Sequence, residues 1–133
     1  KANRETIKEH CDDIWIISGG FFQIIAPIVA EYKISESHIL ANTFLFESNQ
    51  VVGCDPSNPL FQDKGKIKAI ESIETNKKRV VVGDGYTDLE VYLEGAAEHF
   101  ICYTENVSRE KVVSQSKHIA SSFKQMLEIV NKI

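Results

Sequence analysis

Short apolar runs alternate along the chain with amphipathic stretches, the mark of parallel strands joined by helices. Val80-Val81-Val82 is three β-branched residues without polar alternation, which predicts a strand covered on both faces. Gly83-Asp84-Gly85 turns the chain, its glycines suited to backbone angles closed to other residues. Leu89, Tyr92 and Leu93 then recur at helical spacing until Gly95 stops the helix, and Thr87 with Glu90 reads as a capping box at its start. Ile14-Trp15-Ile16-Ile17 is a second strand-like run, ended by Ser18-Gly19-Gly20. An apolar helical segment follows over residues 21–32, where Pro27 predicts a kink or a late helix start.

Ile39-Leu40-Ala41 is the next buried strand. Residues 43–47 and 51–54 flank Ser48-Asn49-Gln50 as a β-hairpin attached to the sheet's edge. Asp63-Lys64-Gly65-Lys66 opens a helix with Ile67, Ile70 and Ile73 toward the core and Lys68, Glu71 and Glu74 toward water. Beyond the Val80 stretch come a strand at Phe100-Ile101-Cys102, a helix through Val112 and Val113 capped by Ser108, and a terminal strand at His118-Ile119-Ala120. The last helix starts at Ser121 or Ser122 and carries Phe123, Met126, Leu127 and Val130 at core spacing. Residues 1–10 read as the tail of a helix leading into a strand.

With 133 residues the pattern fits one domain, residues 1–133, of α/β class. A net charge of −4 gives no broad attraction for nucleic acid or anionic lipid, so an anion site has to be built locally. Cys11, Cys54 and Cys102 lack zinc or redox spacing, which predicts reduced buried thiols and a cytoplasmic protein. Gln23 and Pro27 interrupt the longest apolar run, so no membrane helix is expected, and the polar first residues do not read as a signal peptide.

Asp84 and Asp88 lie around the carboxyl end of a strand, where open α/β sheets hold their ligands. Two carboxylates ~4 Å apart repel by about 4 kcal/mol at an effective dielectric of 20, a penalty that a cation between them relieves. Oxygen-only ligands favour Mg²⁺. The plainer alternative is that Asp84 closes a turn and Asp88 complements the helix dipole. Ser18 beside two glycines at a helix's amino end suits an anion, and equally suits an N-cap with close packing. Lys64 in a first helical turn opposes the dipole, a hint of another role. His10, His38, His99 and His118 have no spacing that suggests a metal or a triad.

Taken together, Ile16-Ile17-Ser18-Gly19-Gly20-Phe21, Lys64-Gly65-Lys66 and Gly83-Asp84-Gly85-Tyr86-Thr87-Asp88-Leu89-Glu90 resemble the second, third and fourth motifs of the haloacid dehalogenase superfamily, and within it the phosphoserine phosphatases. The likeness takes in Ala41-Asn42, the hairpin, and Asn106-Val107 with Arg109. It implies a three-layer Rossmann-like core with a mostly parallel sheet. The implied activity is Mg²⁺-dependent hydrolysis of a small phosphomonoester, such as phosphoserine, through an aspartyl-phosphate. By resemblance, Ser18 and Gly19 bind phosphoryl oxygens, Lys64 balances their charge and Thr87 lines the pocket. Asp84 ligates Mg²⁺ and Asp88 holds the metal's shell, so that Ser18, Lys64, Asp84 and Asp88 are expected at one rim of the sheet.

The superfamily's first motif, Asp-x-Asp-x-Thr/Val, does not occur in the 133 residues, nor does the helical cap that reads the substrate. The resemblance therefore implies the carboxyl-terminal part of such a core, without the first-motif strand and its nucleophile, and inactive by itself. It also implies a sheet position open to self-association or a complementing chain. Two rival readings stand beside it: a non-catalytic phosphate- or Mg²⁺-binding module or subunit, and a phosphatase of another small phosphometabolite. A dinucleotide-binding domain is disfavoured, because no Gly-x-Gly-x-x-Gly turn follows a strand.

Overall fold

The computed structural model describes residues 3–133. It divides into two compact units, one ending at Ala69 and the other starting at Ile70. In the first, helix α1 (Arg4–Glu9) and a 3-10 turn precede strand β1 (Ile16–Phe21), which runs directly into α2 (Phe22–Val29). Strand β2 (Ile39–Asn42) lies parallel to β1, with Ile16 opposite Ile39. Trp15 stacks on His38 at 4.1 Å, and His38 Nδ1 lies 3.1 Å from the Ile14 carbonyl, so the entrances to both strands are tied together. Helix α2 covers the pair: Ala26, Ile39 and Ala41 are buried, with Ile16, Phe22, Ile25 and Val29 packed around them.

Strands β3 (Phe44–Glu47) and β4 (Gln50–Cys54) form the antiparallel hairpin. Ser48 and Asn49 both have positive φ, 49° and 63°, as a two-residue turn matched to strand twist requires. The hairpin is a sheet of its own rather than an extension of the parallel pair. It is held by Phe44 stacked on Phe21 at 3.8 Å and by the Phe44 N–H donating to Gln23 Oε1. Helix α3 (Gly65–Glu71) follows a 3-10 turn at Pro59–Phe61.

The second unit is a three-stranded parallel sheet in the order β5 (Val80–Gly83), β6 (His99–Tyr103), β7 (His118–Ala120). Helices α4 (Tyr86–Leu93), α5 (Glu110–Val113) and α6 (Phe123–Val130) complete the alternation. Leu89, Phe100, Cys102 and Val112 form its core, packed by Val81 and Val113. Full burial of Leu89 is worth about 1.5–3 kcal/mol relative to exposure. The expected parallel α/β fold with a hairpin is what the chain adopts.

Several local expectations are corrected. β1 starts at Ile16 and continues through Ser18-Gly19-Gly20 to Phe21: pairing with β2 resumes at Phe21 opposite Asn42, and the two glycines are carried in the register shift between Ser18 and Phe21. Helix α2 neither starts late nor waits for Pro27. It begins at Phe22, and Pro27, which takes a donor from its last turn, is followed within three residues by a 3-10 turn. Val82 is exposed, so β5 is not covered on both faces. On α4 the buried residues are Leu89 and Val91, while Tyr92 and Leu93 face outward. Ile73 lies beyond α3 and is half-buried. Ser108 does not cap α5, whose N-cap is Arg109 without a side-chain bond. All three cysteines are unpaired, and only Cys102 is buried. Among the described residues no helix is long and apolar enough to cross a membrane.

Candidate functional site

In the first unit the strand–helix crossover carries Ser18 half-buried and Gly19 exposed, at the point where the β1–β2 register shifts. Ser18 Oγ accepts the Gly20 N–H at 3.0 Å. Its own O–H proton therefore has to be given elsewhere, which makes it a donor available to an anion. Ser18 does not cap α2: Phe21 occupies that position, with no side-chain bond. Lys64 is not in the first turn of α3 but just ahead of it, with a left-handed φ of 56° that is uncommon without glycine. Its neighbour Gly65 has no room for a side chain, since a Cβ there would lie 2.8 Å from Leu60 Cα and against the Pro59 carbonyl.

In the second unit β5 ends at Gly83, and Asp84, half-buried, follows it. The α4 start differs from the sequence reading. Gly85 is the N-cap, and the carboxylate of Asp88, not the Thr87–Glu90 pair, closes the helix by accepting the Gly85 N–H at 3.1 Å. Thr87 is exposed on the first turn. Neither Gly83 nor Gly85 has a positive φ. Gly83 is needed for space instead, because a Cβ would come within 2.6 Å of Asp88 Cβ.

Asp84 pairs with Arg109, whose Nη1 donates to Asp84 Oδ2 from 25 residues further along. Sequence reasoning had Arg109 only as part of a likeness, and Asn42 likewise. Arg109 reaches Asp84 from the N-cap of α5, which no local pattern marks, and for Asn42 the one available signal was a polar residue at the end of an apolar strand. Burial pushes the Cys102 thiol above its ordinary range, and the negative charge of Asp84 pushes the same way, so the thiol stays protonated.

The donor set fits Mg²⁺. Asp84 offers carboxylate oxygen at a strand end where a cationic group is already drawn to it, and Mg²⁺ uses one or two protein carboxylates with water completing its shell. Among the described residues no three His, Cys, Asp or Glu side chains cluster as an all-protein metal cage would need.

No protein-family model matches the chain. The chain is 35% identical over 119 residues to the chloroplastic phosphoserine phosphatase of Arabidopsis thaliana, covering 86% of this chain and 40% of that one. It is 30% identical over 125 residues to phosphoserine phosphatase of Homo sapiens, covering 91% and 55%. The crystal structure of a phosphoserine phosphohydrolase-like protein from Francisella tularensis superposes with a TM-score of 0.80 at 27% identity, over 98% of this chain and 62% of that one. The chain is similar to the phosphoserine phosphatase-like side of the haloacid dehalogenase superfamily. The structure of DsGPDH of Dunaliella salina, with a TM-score of 0.75 at 24% identity, adds a likeness of fold alone. The chain spans about half the length of the curated relatives it matches. The three stretches that carry the resemblance are the end of β1, Lys64 with the start of α3, and the β5–α4 turn.

Proposed function

We propose that this chain is the part of a Mg²⁺-dependent phosphomonoesterase that binds phosphate and metal, and that phosphoserine or a similar small phosphometabolite is the substrate of the whole enzyme. The observation that carries the reading is Asp84, a carboxylate at the carboxyl end of parallel strand β5 that already attracts a cationic side chain. Its relatives' names support it. In this reading the Ser18 hydroxyl and the backbone at Gly19 donate to phosphoryl oxygens, the Lys64 ammonium offsets their charge, and the Thr87 hydroxyl is a further phosphate donor. Asp84 would hold Mg²⁺, with the guanidinium of Arg109 sharing or giving up the carboxylate, and Asp88, locked on Gly85, would fix the turn on which Asp84 stands. The metal, when bound, supplies positive charge against the phosphoryl group. Residues 1–133 form one partial core domain in this reading, working in the cytoplasm. The nucleophilic aspartate lies outside the 133 residues, so the chain alone does not turn over.

Calorimetry tests this. The chain should bind Mg²⁺, and Asp84→Asn should weaken that binding by roughly 100-fold, the effect of removing a direct ligand. Inorganic phosphate should bind in the presence of Mg²⁺ and be lost in Ser18→Ala. Silence toward both ligands overturns the proposal, and Asp84-dependent phosphate release from phosphoserine by the chain alone overturns its inactivity.

A second reading, a subunit completed by another chain, is favoured by the sheets themselves. Among the described residues β1 pairs only with β2, and β5 only with β6. Sedimentation that stays monomeric at every concentration would remove the self-associating form of it.

A further inference from the structure

Asn42 closes β2 and is the one polar side chain in the buried set among the described residues, 7% exposed. Its Nδ2 donates to the Gly19 carbonyl at 3.0 Å and to the Leu60 carbonyl at 3.3 Å. Both partners can only accept, so the orientation of the amide is dictated by them. Its Oδ1 is buried without a partner. Such an orphan costs free energy that an apolar side chain would avoid, so stability alone does not explain an asparagine here.

Each of its two bonds fixes a stretch already described. The Gly19–Gly20 peptide is planar, with its carbonyl and N–H pointing opposite ways. Asn42 takes the carbonyl and Ser18 Oγ takes the N–H, so the plane is gripped from both sides and the Ser18 hydroxyl is aimed by the same grip. On the other side, the turn at Pro59–Phe61 is held by Asn42 at the Leu60 carbonyl. Asn58 holds it too: its Oδ1 accepts the Leu60 N–H at 3.0 Å and its Nδ2 donates to the Ala41 carbonyl at 2.7 Å. Gly65 rests directly on that turn, and the seat leaves Lys64 in its left-handed conformation. A lysine keeps such a conformation only where its surroundings over-determine it.

We propose that Asn42 is the positioning residue of the phosphate site, coupling the Ser18–Gly19 turn to the Lys64 loop so that hydroxyl and ammonium act on one anion. The inference rests on the phosphate-binding reading above. It is tested on the full 133-residue chain by amide hydrogen exchange and by calorimetry with inorganic phosphate and Mg²⁺. Asn42→Ala should speed exchange at the Gly20 and Gly65 amides by about tenfold or more relative to the Asp55 amide at the hairpin base, as loss of a shared brace requires. It should also weaken phosphate by about tenfold well below the variant's unfolding temperature. Asn58→Ala, which keeps the Gly19 bond, should loosen Gly65 but not Gly20, and it carries the exchange test if Asn42→Ala does not fold. Exchange that rises equally at all three amides, or an unchanged phosphate affinity in Asn42→Ala, overturns the assignment alone. A wild-type chain that binds no phosphate overturns the phosphate reading and this assignment with it.

Discussion

The two strand–turn–helix crossovers, β1 into α2 and β5 into α4, each carry two glycines beside a short polar residue, Ser18 ahead of its pair and Asp84 between its two, and solve the turn differently. At β1 the strand continues through the glycines, and the helix begins without any side-chain cap. At β5 the strand stops on Gly83, and a carboxylate from inside the helix folds back to close it. The first turn is held from outside by Asn42 and presents a neutral donor; the second is held from within by Asp88 and presents the negative charge of Asp84. A turn braced from outside tolerates change in its own residues, whereas a self-capped turn does not.

Substitution should expose this asymmetry. The largest stability effect is expected for Gly83→Ala. Its Cβ would displace Asp88 and break the cap, a loss of about 2–3 kcal/mol in urea unfolding. Gly19→Ala meets nothing within 4 Å and should lie within about 0.5 kcal/mol of wild type or gain slightly. Equal costs at the two glycines would erase the comparison. Asp88→Ala should lose about 1 kcal/mol by the same measurement, the value of a helix cap. Ser18→Ala removes the acceptor for Gly20 while Asn42 still holds that peptide, so about 0.5 kcal/mol is expected. A loss at Ser18 as large as at Asp88 would mean that the outside brace carries little.

The smallest effect is one of pH. The Arg79 N–H, donating to Glu98 at 2.7 Å where β5 and β6 begin, holds the Glu98 carboxyl below its ordinary 4.5. A depressed carboxylate contributes stability above its unfolded value that is lost as pH falls through the folded one. Glu98→Gln should therefore flatten the acid side of the stability profile slightly, the site being solvent-exposed. A steeper acid limb in the variant would contradict the assigned cause.

Much of the chain was legible because its signals are local. Gly95 ends α4 with φ 80°, its N–H donating to the Tyr92 carbonyl and that of Ala96 to the Val91 carbonyl, the bond pair of a glycine C-cap. Ser122 caps α6 by accepting the Gln125 N–H, and β7 runs where the apolar triplet lies. The errors have a common origin. Helical spacing put Tyr92 and Leu93 toward the core because the period alone does not say which arc meets the sheet, and Val91 is the residue that does. Thr87 looked like a cap because it precedes Glu90 by three, but the same spacing two residues earlier, Asp88 on Gly85, is the one that closes the helix.

By itself the sequence determined the order of strands and helices, the hairpin turn and the three motif stretches that mark the superfamily, since hydrophobic period, glycine placement and turn chemistry act within a few residues. Only the tertiary structure decided the company each polar group keeps. Arg109 on Asp84, Asn42 on both Gly19 and Leu60, and the left-handed Lys64 seated by Gly65 are partnerships that no local rule contains, because they arise only once packing has brought distant strand ends and loops together.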